Sequence, residues 1–316
     1  MMINKGGSIV KYKFTGETIK HKGIKLRQIK RIDDDTIGGW IEKKENLSQK
    51  GDCFVYGNAK VYGNAEIYDN AKVYDSAEVY DEVKVYGCAE VYGDAKVYGD
   101  AQIAEYAQVF GYAKVCDNVQ IYNDVEVSGN AILYGDVALY DNVKVYGNAI
   151  VSENVLLCNN AIVYGNATLS GNVVMRDNTE IYGNAKVSGN VKLYENAKIY
   201  DNAIVCDDVT LYDDVNICEN AIVGGTTFIS NDTIVKGNDK IENGIINCKY
   251  KRVEHYIANG ARGVTAITTL DDEVLFNVGC QILITKEEFL DRIYNTLGGI
   301  EENPHRKLYL EILARY

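Results

Sequence analysis

The side chains best suited to acid–base, nucleophilic or metal-ligand chemistry are few in this chain. Its 316 residues include three histidines, His21, His255 and His305, and eight cysteines. An imidazole can serve as a general base, and His255 could act in that way or be a surface or packing residue. The cysteines form no Cys-x-x-Cys pair, so they read as reduced, intracellular thiols rather than a disulfide framework. Cys88, Cys116, Cys158, Cys206 and Cys218 stand where other repeats carry Tyr or Asn. That marks them as interchangeable repeat positions, not nucleophiles. Carboxylates, in contrast, are abundant. The chain has 45 Asp and Glu against 33 Lys and Arg, a net charge of −12. Such a surface repels phosphates, which argues against nucleic-acid binding through its bulk. It suits a protein partner with a basic surface.

These groups are placed by a repeat. From Val55 to Ile241 an apolar residue stands at every sixth position, which makes 32 hexads with no insertion or deletion. The typical unit is Val-Tyr-Gly-Asn-Ala-Lys. Alternation puts Ala and Val on one face of a short strand and Lys and Tyr on the other. The Gly, Asp or Asn that follows tolerates a tight corner. A helix is excluded, because a period of six does not match 3.6 and the segment is rich in Gly, Asn and Val. Strands joined by identical corners wind into coils that pair as parallel sheet.

The motif resembles the hexapeptide-repeat family. Its members form a left-handed parallel β-helix with three hexads per coil. The resemblance implies an all-β fold of about 10 to 11 coils. Enzymes of this family are mostly trimeric acyltransferases that use a His near a subunit boundary, often beside a loop that breaks the repeat. Zinc-binding members use three His. Here no His lies in the hexads and no loop interrupts them. A zinc site of solenoid histidines is therefore excluded, and an acyltransferase would lack its usual base. No metal and no cofactor are expected.

The ends need caps, since an open coil is an unpaired sheet edge. Residues 1–54 carry 12 Lys and Arg against 7 Asp and Glu. They hold short strands around Tyr12-Lys13-Phe14 and Ile24-Lys25-Leu26, and form an N-terminal β cap to the helix of 55–243. Gly38-Gly39-Trp40, Leu47-Ser48-Gln49 and Gly51-Asp52-Cys53-Phe54 resemble the entry segment of YdcK-like bacterial hexapeptide proteins, a family without an established reaction. Residues 244–316 form a small α+β module. Val264–Thr269 and Val274–Cys280 read as strands around a turn at Leu270-Asp271-Asp272-Glu273. Thr285-Lys286-Glu287-Glu288 reads as a capping box for a helix that stops at Gly298-Gly299. Asn303-Pro304 opens a second helix. Asn277-Val278-Gly279-Cys280 with Glu287-Glu288-Phe289 is similar to tails of uncharacterised phage and prophage proteins. The N-terminus has no long apolar run, so no signal peptide is expected. No stretch is long enough to span a membrane, and a cytoplasmic location is expected.

With three hexads per coil, residues 18 apart stack into columns. One column is aromatic: Tyr56, Tyr74, Tyr92, Phe110, Ser128, Tyr146, Tyr164, Tyr182, Tyr200. It is a stabilising ladder or a binding face. A second holds Asp69, Glu105, Asp141, Asp177, Glu195 and Asp213. It is either a solubilising edge or a row of anions that imitates a nucleic-acid backbone and fills a basic cleft. A third carries outward Ile132, Ile150, Ile204 and Ile222, a candidate self-association face for a dimer or trimer.

Three functions follow. The first is a non-catalytic acidic scaffold, a phage-encoded anti-defence inhibitor that docks on a basic, nucleic-acid-binding host protein. The second, resting on the family resemblance, is an acyltransferase. The third is a structural protein of a phage particle.

Overall fold

The computed structural model describes residues 10–246, 250–256, 264–269, 272–278, 281–295 and 304–316. The chain divides into two compact units, Met1–Gly171 and Asn172–Tyr316.

In the first unit, β1 (Tyr12–His21) and β2 (Ile24–Arg31) form an antiparallel hairpin. It turns at Lys22-Gly23, both at positive φ. β3 (Ile37–Ile41) pairs antiparallel with β2. β3 also pairs in parallel with the repeat, Trp40 opposite Lys60 and Ile41 opposite Val61. Leu47 bridges to Ile67 in the same sense. The first coil therefore begins inside the cap segment, near Ile41, and the two units carry about 12 turns rather than 10 to 11. Gly38 and Gly39 explain how the cap enters the coil so closely. A Cβ on Gly38 would lie 2.7 Å from the Val55 carbonyl oxygen, and one on Gly39 would lie 2.6 Å from that of Ala59.

Beyond this entry the hexads form two-residue strands that pair in parallel at a spacing of 18. Lys60–Val61 lies beside Glu78–Val79, which lies beside Lys96–Val97. Three hexads per coil is thus the geometry of the repeat. Each inward Val, Ile or Leu and its small partner is sealed from solvent, as are Val97, Ala101, Ile103 and Val115. The outward neighbours pair by charge at the same spacing. Lys72 meets Glu90 at 3.0 Å, and Lys144 meets Glu126 at 3.1 Å. Opposite charges on facing strands stabilise a sheet by a fraction of a kcal/mol, about 0.2–1 each.

The second unit continues the hexad pattern to Ile241 with the same register, as where Ile204–Val205 pairs with Ile222–Val223. The strand Ile222–Ile229 is longer, and its pairing with Lys240–Ile246 shifts register between Gly224 and Thr227. A four-stranded antiparallel sheet follows, made of Tyr250–Tyr256, Val264–Thr269, Val274–Val278 and Gln281–Thr285. Helices α1 (Lys286–Asn295) and α2 (Pro304–Leu313) complete the module. Phe276, Phe289, Ile293, Ile312 and Leu313 form its core. The capping box is present: the Glu288 amide donates to Thr285 Oγ1 and the Thr285 amide to Glu288 Oε2. Leu270-Asp271, Gly279-Cys280, Gly298-Gly299 and Asn303 lie outside the described residues.

Candidate functional site

Corner residues sit at positive φ whether or not they are glycine. Asp69, Glu105, Asn123, Asp141 and Asn159 in the first unit have φ between 56° and 66°. Asn and Asp adopt this region more readily than other side-chain-bearing residues. The consequence is a specific contact. The Gly87 amide donates to Asp69 Oδ2 at 3.3 Å, and the Asn159 amide donates to Asp141 Oδ2 at 3.1 Å. Each carboxylate thus satisfies the corner N–H of the following coil. The Asn123 side-chain amide adds a 3.2 Å bond to Asp141 Oδ1. In the second unit Asp177 accepts from the Glu195 amide at 3.2 Å, and Asp213 from the Asn231 amide at 2.9 Å.

Within each unit the aspartates of the acidic column are thus anchored, while no such bond holds the Glu105 or Glu195 carboxylate among the described residues. The column is not the sole acidic corner. Asp75, Asp81, Asp117 and Glu153 occupy positive-φ corners on the other two edges of the first unit. Asp75, Asp81 and Asp117 cap Gly93, Gly99 and Gly135 in the same way. Sequence columns alone did not reveal this role, although the alternation of Asp with Gly in Asp81, Gly99, Asp117, Gly135 was its signal.

The aromatic column is also realised inside each unit. Tyr74, Tyr92 and Phe110 stack at 4.7 and 4.8 Å, and Tyr146 stacks on Tyr164 at 5.0 Å. Tyr182 stacks on Tyr200 at 4.9 Å in the second unit. The other faces carry ladders too, Tyr62–Tyr80–Tyr98 and Tyr68–Tyr86. Among the outward isoleucines, Ile132 lies opposite Ile150, and Ile204 opposite Ile222. Ile132, Ile150 and Ile222 are half-buried, and Ile204 is exposed.

One cluster was not foreseen. The tip of the β1–β2 hairpin brings His21 and Lys22 onto the coil at Glu78. His21 Nε2 lies 3.2 Å from Glu78 Oε2, and Lys22 Nζ lies 2.8 Å from the same oxygen. The Tyr62 hydroxyl donates to that oxygen at 3.2 Å. Lys22 Nζ also stands over the Tyr80 ring, 4.9 Å from its centroid. Burial alone would raise the Glu78 carboxyl, but the Lys22 and His21 bonds outweigh it and hold it at about 2. Burial pushes the Tyr62 phenol up to about 12. A carboxylate that accepts three bonds is a clamp, and a Glu-held imidazole is also the pairing that general-base chemistry uses. Sequence spacing gave no signal, since His21 and Glu78 are joined by tertiary contact.

The other sequence candidates fall elsewhere. The strand Tyr250–Tyr256 includes His255, and α2 includes His305. Burial raises the thiols of Cys53, Cys116, Cys206 and Cys218, which keeps them protonated. Among the described residues no group of three His, Cys, Asp or Glu side chains is placed to hold a metal. Among the same residues no helix is long and apolar enough to cross a membrane.

No protein-family model matches the chain, and no curated protein matches it. Among solved structures it is similar to the UDP-N-acetylglucosamine acyltransferase of Francisella novicida. That match has 14% identity and a TM-score of 0.32, covering 79% of this chain and 86% of that one. A second is the UDP-N-acetylglucosamine acyltransferase of Campylobacter jejuni, at 15% identity and a TM-score of 0.25, covering 78% of this chain and 90% of that one. The hexapeptide solenoid is read from the coils of this chain themselves: parallel strand pairs 18 residues apart, sealed aliphatic cores and positive-φ corners.

Proposed function

We propose that the protein is a binding scaffold whose anchored corner carboxylates hold a basic protein surface. One observation carries the reading. In each unit the aspartates of the acidic column have an oxygen fixed by the next coil's amide, as in Asp141 with Asn159 and Asp213 with Asn231. A side chain already fixed loses little freedom when it meets a cation, so its attraction is kept for the partner. Complementary charge then sets register and speeds encounter. A nucleic-acid-binding host protein offers a surface of this kind, which is the inhibitor role expected from the sequence. The test replaces charge without removing the acceptor. Asp69→Asn, Glu105→Gln and Asp141→Asn together keep side-chain oxygens at the corners. Binding to immobilised polylysine and to a basic nuclease should weaken at least about tenfold at unchanged melting temperature. Retained affinity overturns the reading.

A second reading, acyl transfer, is favoured by the His21–Glu78 pair. Incubation with acetyl-CoA and amine or hydroxyl acceptors tests it. Turnover that His21→Gln abolishes, in a protein that still folds, would make the cap cluster the catalytic site; no turnover removes this reading.

A further inference from the structure

In the first unit the aromatic ladder is interrupted at Ser128, which stands where the preceding coil has Phe110 and a following one has Tyr146. Phe110 is already stacked on Tyr92 at 4.8 Å, and Tyr146 on Tyr164 at 5.0 Å. The two rings bordering the gap are two coils apart, about 9.6 Å at ordinary strand spacing. That is twice the ladder spacing, the width that one further ring fills.

Three other interruptions in this unit are closed, and the remaining two, half-buried Cys158 and Ser170, do not lie between two rings of their columns. At Ala104 the Tyr122 hydroxyl reaches back to donate to Gln102 Oε1 at 3.0 Å, and Ala104 is fully buried. At Cys116 the thiol donates to the Leu133 carbonyl at 3.7 Å, and the residue is 8% exposed. Ser152 is 3% exposed, and its hydroxyl donates to the Leu169 carbonyl. Ser128 differs. It is half-buried, its hydroxyl has no partner among the described residues, and Tyr146 below it is 39% exposed.

The surroundings of the notch carry further information. On one side run the corners Gly111, Gly129 and Gly147, which present no side chains to block entry. On the other side lies a groove of about 610 Å³ whose lining includes Asp52, Glu90, Tyr106, Asp124 and Glu126. The lysine in this lining, Lys72, is already paired with Glu90. Glu126 is likewise paired with Lys144, which leaves Asp52 and Asp124 as the groove's uncompensated negative charge, while the notch has two aromatic walls.

We propose that the notch takes an aromatic side chain from a lysine- or arginine-rich segment of a partner protein. The ring completes the ladder between Phe110 and Tyr146, and the flanking cations lie in the acidic groove. This rests on the scaffold reading above and names the segment such a partner must offer. Stacking on two faces supplies the preference for aromatic over aliphatic residues.

The test uses the full chain and two probe peptides, Lys-Lys-Trp-Lys-Lys and Lys-Lys-Ala-Lys-Lys, titrated calorimetrically at low salt. The wild type is expected to bind the Trp peptide about tenfold more tightly than the Ala peptide. Ser128→Tyr supplies the missing ring, as neighbouring coils do. It should bind both peptides alike, at the Ala-peptide affinity, with a melting temperature equal to or above wild type. Equal wild-type affinities overturn the notch and leave the scaffold reading standing. A preference that survives in Ser128→Tyr also overturns it. Binding of neither peptide overturns the scaffold reading itself. Tighter binding of free indole or adenosine than of the Trp peptide overturns the choice of a peptide as occupant.

Discussion

His21 Nε2 and Glu78 Oε2 lie 3.2 Å apart, and this contact, with Lys22 on the same oxygen, fastens the N-terminal hairpin to the repeat. Glu78 should therefore make stability depend on acid. Burial opposes its charge, but the Lys22 and His21 bonds hold its folded pKa at about 2, below an unfolded value of about 4.3. The stabilisation is complete above the unfolded value and is lost as pH falls through about 2. Glu78→Gln should cost about 2 kcal/mol at pH 7 and flatten the acid limb. Urea unfolding of both proteins from pH 7 to pH 2 measures this; parallel curves would refute it.

Asp141 caps the amide of Asn159. Asp141→Ala should destabilise by about 1 kcal/mol, since a corner N–H loses its acceptor. Asp141→Asn keeps an oxygen there and should be nearly neutral. Thermal unfolding of the pair separates the hydrogen bond from the charge.

Gly129 has φ +68°, and a Cβ on it would stand 2.8 Å from the Gly147 carbonyl oxygen. Backbone cannot retreat as a side chain can. Gly129→Ala should therefore cost about 2 kcal/mol, read as a shift in urea midpoint at constant slope.

Tyr92 stacks on both Tyr74 and Phe110 and donates its hydroxyl to Gln108. Tyr92→Leu keeps apolar bulk but loses both stacks, a loss of about 1–3 kcal/mol. Tyr112 is 64% exposed, and Tyr112→Leu should change stability by less than about 0.5 kcal/mol. Denaturant titration of both variants checks the contrast.

Ile132 and Ile150 face outward on adjoining coils. If they form a contact between copies, Ile132→Lys with Ile150→Lys should leave circular dichroism intact and lower the solution mass to that of one chain. Light scattering decides, and an unchanged mass rules the face out.

The period of six and the aliphatic positions were legible because a solenoid is held by neighbours at a constant separation in sequence. The same constancy makes the Tyr74–Tyr92–Phe110 stack readable in the sequence. What escaped was whatever depends on direction or on contacts without a fixed spacing. Asp69 could be placed on an edge, but not seen to reach over Gly87. His21 meets Glu78 across a cap whose path no periodicity dictates. Ile41 joined the first coil although residues 41–55 break the hexad spacing, because β3 supplies a pairing strand directly. Ser128 and Ala104 both interrupt an aromatic series, yet Tyr122 reaches back past Ala104 to Gln102, while Ser128 stays open.

Coils of equal length have a genetic consequence. Within one unit, removing a whole turn brings together strands that already share corner type, inward residue and register. In-frame loss or duplication of such a segment would shorten or lengthen the protein without a new fold having to be found. Reach could then evolve stepwise, while both ends stay the same.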